Sequence, residues 1–130
     1  MWSRFEVADH SMEPALQPGD MIEAGPVIEI ERGDIVIFPH PRYPDMMMVK
    51  RVVGLPGESI ALDTGEVVID GVAGIDLWGH GLTLPDGEWE LNDREVFVLS
   101  DNRESTRDDS RNFGGVLLET CLLADPVSRR

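Results

Sequence analysis

Ser11 lies in the run Asp9-His10-Ser11-Met12-Glu13-Pro14, and Lys50 follows 39 positions later at the head of Lys50-Arg51-Val52-Val53-Gly54-Leu55-Pro56-Gly57. A serine hydroxyl is a weak nucleophile at its own pKa and needs a base beside it. A lysine serves once its surroundings strip the ammonium of its proton near neutral pH. The two residue types point to acyl transfer by a Ser/Lys pair. Taken singly, neither carries that reading: Ser shortly before Pro is a common start of a helical turn, and a lysine on a strand commonly snorkels its charge into water.

Alternation along the expected strand Met46 to Val53 sets Met46, Met48, Lys50 and Val52 on one face, so the ammonium projects among apolar neighbours. Bringing a lysine from ~10.4 to ~7 takes roughly 4 kcal/mol of desolvation and local positive charge acting against ionisation. The chain as a whole opposes this, since 11 Lys+Arg stand against 25 Asp+Glu for a formal net charge of −14. The site must be screened from carboxylates, and the uncharged stretch Met46-Met47-Met48-Val49 suits that need.

The elements around this pair read as β-structure. Short β-branched segments are punctuated by Gly, Pro and Asp, and no window of a dozen residues sustains a helical period. Strands are expected over Arg4 to Val7, Met21 to Ala24, Asp34 to Phe38, Met46 to Val53, Ser59 to Leu62, Glu66 to Ile69, Glu95 to Leu99 and Val116 to Leu123, with one helical turn after Ser11. Turns are expected at Pro18-Gly19-Asp20, Arg32-Gly33-Asp34, Pro56-Gly57, Asp63-Thr64-Gly65 and Asp70-Gly71. A length of 130 residues with 42% hydrophobic content supports one domain, residues 1–130, around a single core. Residues 72–93 read as a Gly-rich insertion or excursion carrying Trp78, His80 and Trp89, with both tryptophans capping the core.

Several function classes drop out. Strong net negative charge repels phosphate backbones over a Debye length of ~8 Å, so nucleic acid is not an expected partner. No stretch reaches the ~20 apolar residues of a membrane span, and the first residues lack the apolar core of a secretory signal. A soluble chain in the cytoplasm is the expectation. The lone Cys121 can form no internal disulfide and reads as a small core residue. The histidines and the carboxylates from Asp101 to Asp109 show no metal-ligand spacing, so no metal or other cofactor is expected. His10 adjoins Ser11 and points the other way on an extended strand, while His40, between Pro39 and Pro41, and His80 read as exposed loop residues.

Four blocks in order change the weight of Ser11 and Lys50. They are Ser11-Met12-Glu13-Pro14-Ala15-Leu16, Arg32-Gly33-Asp34-Ile35-Val36-Ile37-Phe38, Lys50 to Glu58, and Asp101-Asn102-Arg103 with Asp109-Ser110-Arg111 closing on Gly114. This succession resembles the motifs of the type I signal peptidases, peptidase family S26, serine proteases akin to the LexA-type repressor proteases. The resemblance runs from Phe5 to about Leu118. It implies a β-sandwich or partly open barrel with short helical turns, and a serine endopeptidase acting on another polypeptide, with Ser11 as nucleophile and Lys50 as general base. It also implies that a hydroxyl of the last block orients the lysine, and that Asp109 with Arg111 forms an ion-pair scaffold, to which Arg103 is an open further candidate. The spacing from Asn102 to Asp109 is one residue longer than the family's usual pattern, so Ser105 and Thr106 both qualify as that hydroxyl.

The chain departs from the family pattern in three places. Only ten residues precede Ser11, where the family carries an anchoring hydrophobic segment, so the resemblance is to a soluble member lacking the anchor, such as relatives that trim an N-terminal extension from a cytosolic metalloenzyme. Asp9 stands where Gly or Ser is usual, bordering the oxyanion position, so its carboxylate is expected to point away or be protonated. Ser100 replaces the usual Gly before Asp101, close enough to crowd the amine or to hydrogen-bond to it. A self-cleaving repressor-type protease lacks room for its cleavable segment, and a non-catalytic peptide-binding module is the alternative from a different class.

Overall fold

The computed structural model describes residues 2–105 and 107–125. Thr106 lies outside the described residues. Among these, the strands are β1 (Ser3–Glu6), β2 (Met21–Pro26), β3 (Ile35–Pro39), β4 (Met47–Gly54), β5 (Ser59–Asp63), β6 (Glu66–Ile69), β7 (Val72–Ala73), β8 (Gly87–Glu90), β9 (Glu95–Leu99), β10 (Val116–Leu117) and β11 (Leu122–Ala124), with one short helix, α1 (Ser110–Phe113). The fold is mainly β, as expected: a seven-stranded antiparallel sheet in the order β1-β2-β11-β3-β4-β9-β10 and a four-stranded one in the order β7-β6-β5-β8.

β4 is the strand on which the site depends. It pairs with β3 on one side and β9 on the other, and both of its faces are covered. Met48 and Val52 pack with Val36, Phe38, Val96 and Val98, whereas Val53 joins Ile60, Leu62, Phe97 and Leu99 in the core shared with the second sheet. Lys50 therefore shares a strand face with buried Met48 and Val52, as alternation predicts; Met46 precedes the strand and is exposed.

One local expectation fails. The apolar run Val116 to Leu123 is not one strand. A 3₁₀ turn over Leu118–Thr120 divides it, closed by the Cys121 N–H donating to the Leu118 carbonyl, and Glu119 and Thr120 face solvent there. The chain thereby leaves the β10 edge and inserts β11 between β2 and β3. Period-2 reading sees only face alternation and is blind to such a change of place. The helical turn expected after Ser11 is present as a single turn that is not continued, held by the Leu16 N–H donating to the Met12 carbonyl four residues back at 2.9 Å. A short helix that was not expected forms at Ser110, where the Asp109 side chain caps it by accepting from the Arg111 N–H.

Residues 72–93 supply β7 and β8 to the second sheet, entered through Asp70-Gly71, where both residues have positive φ as a tight hairpin turn demands. Trp89 lies tilted against Phe97 at 4.8 Å between ring centroids. Trp78 covers Gly33, where a Cβ would collide with the indole, and receives the Arg51 guanidinium at 5.9 Å. The segment is fastened by Arg103, whose side chain is fully buried and whose Nη1 donates to Asp76 Oδ2 at 2.6 Å and to Thr83 Oγ1 at 2.9 Å.

Removing one partner of a buried ion pair leaves the other charge desolvated and uncompensated. Asp76→Asn strands the Arg103 guanidinium, and chemical denaturation should show a loss of about 3 kcal/mol; a loss below 1 kcal/mol would mean the fastening contributes little.

Candidate active site

Strand β4 places Lys50, and the loop that follows β9 holds the Ser11 segment beside it. Asn102 donates its N–H to the Ser11 carbonyl at 2.9 Å, and the Asp101 N–H reaches Met12 Sδ at 3.5 Å, so the segment bearing Ser11 is docked on this loop. Lys50 Nζ donates to Ser11 Oγ at 2.9 Å, and Lys50 is only 2% exposed. Burial pushes the Lys50 amine below its ordinary value against the opposing charges of Asp9, Asp109 and Asp108, with Arg111 adding to the depression. Screening by the Met46 to Val49 stretch is thus incomplete: three carboxylates act on the amine, and desolvation outweighs them.

Asp109 is the most enclosed of the three. Its carboxylate is fully buried and accepts from the Ser100 N–H at 3.0 Å, from the Arg111 N–H at 3.0 Å and from Arg111 Nη2 at 2.7 Å. Arg111 in turn donates to the carbonyls of Leu84, Arg103 and Ser105, so this one pair gathers the 72–93 segment and the loop after β9. Arg103 is not part of that pair; its counter-ion is Asp76. A second buried pair, Arg51 with Asp101 at 2.6 Å, holds β4 to the start of the same loop. Nothing in the local sequence marks Arg51–Asp101 or Arg103–Asp76, because partners 50 and 27 positions apart meet only through the fold.

Ser105 lines the same cavity of about 300 Å³ as Ser11, Lys50, Asp9 and Ser100, but no hydrogen bond joins it to Lys50. Asp9 neither points away nor is protonated. Its Oδ1 accepts the Ser11 N–H at 3.0 Å. Burial pushes its carboxyl up, yet hydrogen bonding from Ser11 and the charges of Lys50 and His10 outweigh that and hold it below the usual range. His10 bonds Glu13 instead of Ser11. His40 is not an exposed loop residue: it is buried, its Nδ1 accepts the Arg42 N–H, its Nε2 lies 3.4 Å from Asp108, and its ring packs on Tyr43 and Phe113. The flanking prolines suggested a loop, and the aromatic neighbours that bury the ring are remote in sequence. One signal in the composition was available. Lys50 is the chain's only lysine, the other basic residues being arginine.

A family model described as signal peptidase, peptidase S26, matches residues 1–76, more than half of the chain. The chain belongs to peptidase family S26. It is 27% identical to signal peptidase I of Pseudomonas fluorescens over 80% of this chain and 53% of that protein. It is 36% identical to mitochondrial ATP-independent inner membrane protease subunit 1b of Arabidopsis thaliana over 82% of this chain and 57% of that protein. The chain thus spans about half the length of the curated relatives it matches. Among solved structures, signal peptidase I from Enterococcus faecalis V583 superposes with a TM-score of 0.62 at 28% identity, covering 72% of this chain and 93% of that one. Among the described residues of this S26 chain, no helix is long and apolar enough to cross a membrane, and no group of three His, Cys, Asp or Glu is placed to hold a metal ion.

The lowered Lys50 pKa fixes the sign of a stability effect. Between the depressed folded-state value and the unfolded ~10.4, the unfolded chain binds the extra proton, so stability rises with pH across that window. Lys50→Met keeps the apolar stem and removes the ammonium. The variant should melt higher than wild type at neutral pH, and the gap should narrow as pH climbs toward ~10.4; a variant less stable at neutral pH would show that the amine is not held at a cost.

Proposed function

We propose that the chain is a serine endopeptidase that hydrolyses a peptide bond in another polypeptide through a Ser11/Lys50 dyad, in signal peptidase-like or maturation cleavage. The 2.9 Å contact between a buried amine and a serine hydroxyl carries the reading. With the amine neutral, the contact reverses and the Ser11 O–H donates to the Nζ lone pair. Ser11 Oγ attacks the scissile carbonyl while Lys50 takes its proton. The C–N bond then breaks as Lys50 returns that proton to the leaving amine. Water next adds to the ester, giving its proton to Lys50, and the C–Oγ bond breaks as Ser11 recovers a proton. Arg111 and Asp109, buried together beside the loop, act as scaffold.

The Ser11 N–H is the donor suited to the developing oxyanion, and here it is taken by Asp9. Substrate must displace that carboxylate. A second, smaller cavity of about 60 Å³ also borders Ser11 and Lys50, and its lining includes Glu6, Asp9, Val7, Met12 and Met48. That space suits an Ala, Ser or Gly side chain at the acyl side of the cleaved bond and refuses an aromatic ring.

Against a peptide library, Ser11→Ala and Lys50→Ala should each lower cleavage by at least 10³-fold, the order seen when a nucleophile or its base is removed. Equal cleavage by all three proteins would discard the dyad, and peptide binding without cleavage in all three would favour the binding module. Asp9→Gly frees the Ser11 N–H and removes a charge that favours the ammonium, so kcat/KM at neutral pH should rise by about tenfold. A fall would mean that Asp9 supports the reaction.

A further inference from the structure

Among the described residues, the Ser100 hydroxyl is the only buried side-chain polar atom without a hydrogen-bond partner. A hydroxyl can donate one bond and accept two, and leaving it unpaired away from water costs stability. The backbone around it is pinned on both sides: the Ser100 N–H donates to Asp109 Oδ2 at 3.0 Å, and its carbonyl accepts from Arg103 Nε at 2.7 Å. Only the rotor of the side chain is free. Its place follows from strand register. β4 and β9 set Arg51 opposite Leu99 and Val52 opposite Val98, and continuing that register one residue past the end of β9 brings Ser100 level with Lys50. Opposed residues of an antiparallel pair share a face with Cβ atoms ~4.5–5.5 Å apart. Both residues border the cavity that contains Ser11.

The amine has donors to spare. Its one hydrogen bond among the described residues goes to Ser11 Oγ, which uses a single N–H. We infer that Ser100 is the positioning residue of Lys50, its Oγ accepting a second amine N–H so that the lone pair stays aimed at the reacting oxygen. The inference rests on the Ser11/Lys50 reading above and deepens it. Its weight falls on the second half of the reaction. Once Ser11 Oγ is an ester oxygen, and Lys50 has passed its proton to the departed amine, the contact that held the lysine is weakened. Ser100 then holds the amine toward the incoming water as the water oxygen bonds to the acyl carbon, its proton moves to Nζ, and the C–Oγ bond breaks.

The test compares wild type, Ser100→Ala, Ser100→Gly, Ser100→Thr and Ser11→Ala on one cleaved peptide, with quenched samples weighed as intact protein. Ser100→Ala and Ser100→Gly should turn over roughly 10- to 100-fold more slowly and accumulate an acyl adduct on Ser11. The acid limb of their kcat/KM profile should move to lower pH, because an acceptor that favours the ammonium is gone. Ser100→Thr, which keeps the hydroxyl, should restore most of the rate. Full-rate Ala and Gly variants without adduct would overturn the inference, as would a loss that a normally melting Thr variant fails to restore. If the Thr variant melts early, the adduct in the Gly variant, which adds no volume, decides. The two readings fail differently: an inert Ser11→Ala beside full-rate Ser100 variants removes Ser100 alone, whereas cleavage surviving in Ser11→Ala, or no cleavage by wild type, removes the dyad and Ser100 with it.

Discussion

A primary amine removed from water beside a serine hydroxyl is the constraint around which this fold is arranged. Lys50 sits on the interior strand β4, between Met48 and Val52 on one strand face, and both of these neighbours are buried in apolar packing. Desolvation opposes the charged form, and the Ser11 contact gives the amine a polar neighbour that can exchange a proton with it. A lysine on an edge strand would reach water and keep its proton. The interior position of β4, flanked by β3 and β9, is therefore as much a part of the site as the two side chains.

The acidic composition makes that arrangement harder, and the distribution of arginines answers it. Each of the buried or nearly buried carboxylates around the site has its own guanidinium: Asp109 has Arg111, Asp101 has Arg51, and Asp76 has Arg103. These pairs also tie the loop after β9 to β4 and to the 72–93 segment, fixing the platform on which Ser11 rests. Pairing is incomplete at Asp9 and Asp108, which still pull the Lys50 proton on. Asp9 adds a second effect by accepting the Ser11 N–H, which places a carboxylate against the backbone donor next to the Ser11 hydroxyl.

Most of the strands could be read locally, because each is a short β-branched or apolar run set off by turn residues, whether it alternates as Glu66–Ile69 does or is buried on both faces as Glu95–Leu99 is. Glu66–Ile69 and Glu95–Leu99 need nothing beyond their own residues to be placed. The Val116 to Leu123 run defeated the same reading since its two halves pair with different strands. At the site, Ser11 and Lys50 stood out through the order of the surrounding blocks, and the face of Lys50 followed from period 2. What stayed hidden depends on distant partners: the buried ring of His40, the guanidinium pairs of Arg51 and Arg103, and the direction of the Asp9 carboxylate. Each is settled by which segments the fold brings together, and no single stretch of chain encodes it.

Because Lys50 is the only lysine, labelling the protein with lysine carrying ¹³C at Cε gives one side-chain resonance to follow with pH. Titration should place its midpoint well below the unperturbed ~10.4, and the midpoint should return toward that value on unfolding. A folded-state midpoint at or above ~10.4 would contradict a desolvated amine able to serve as base.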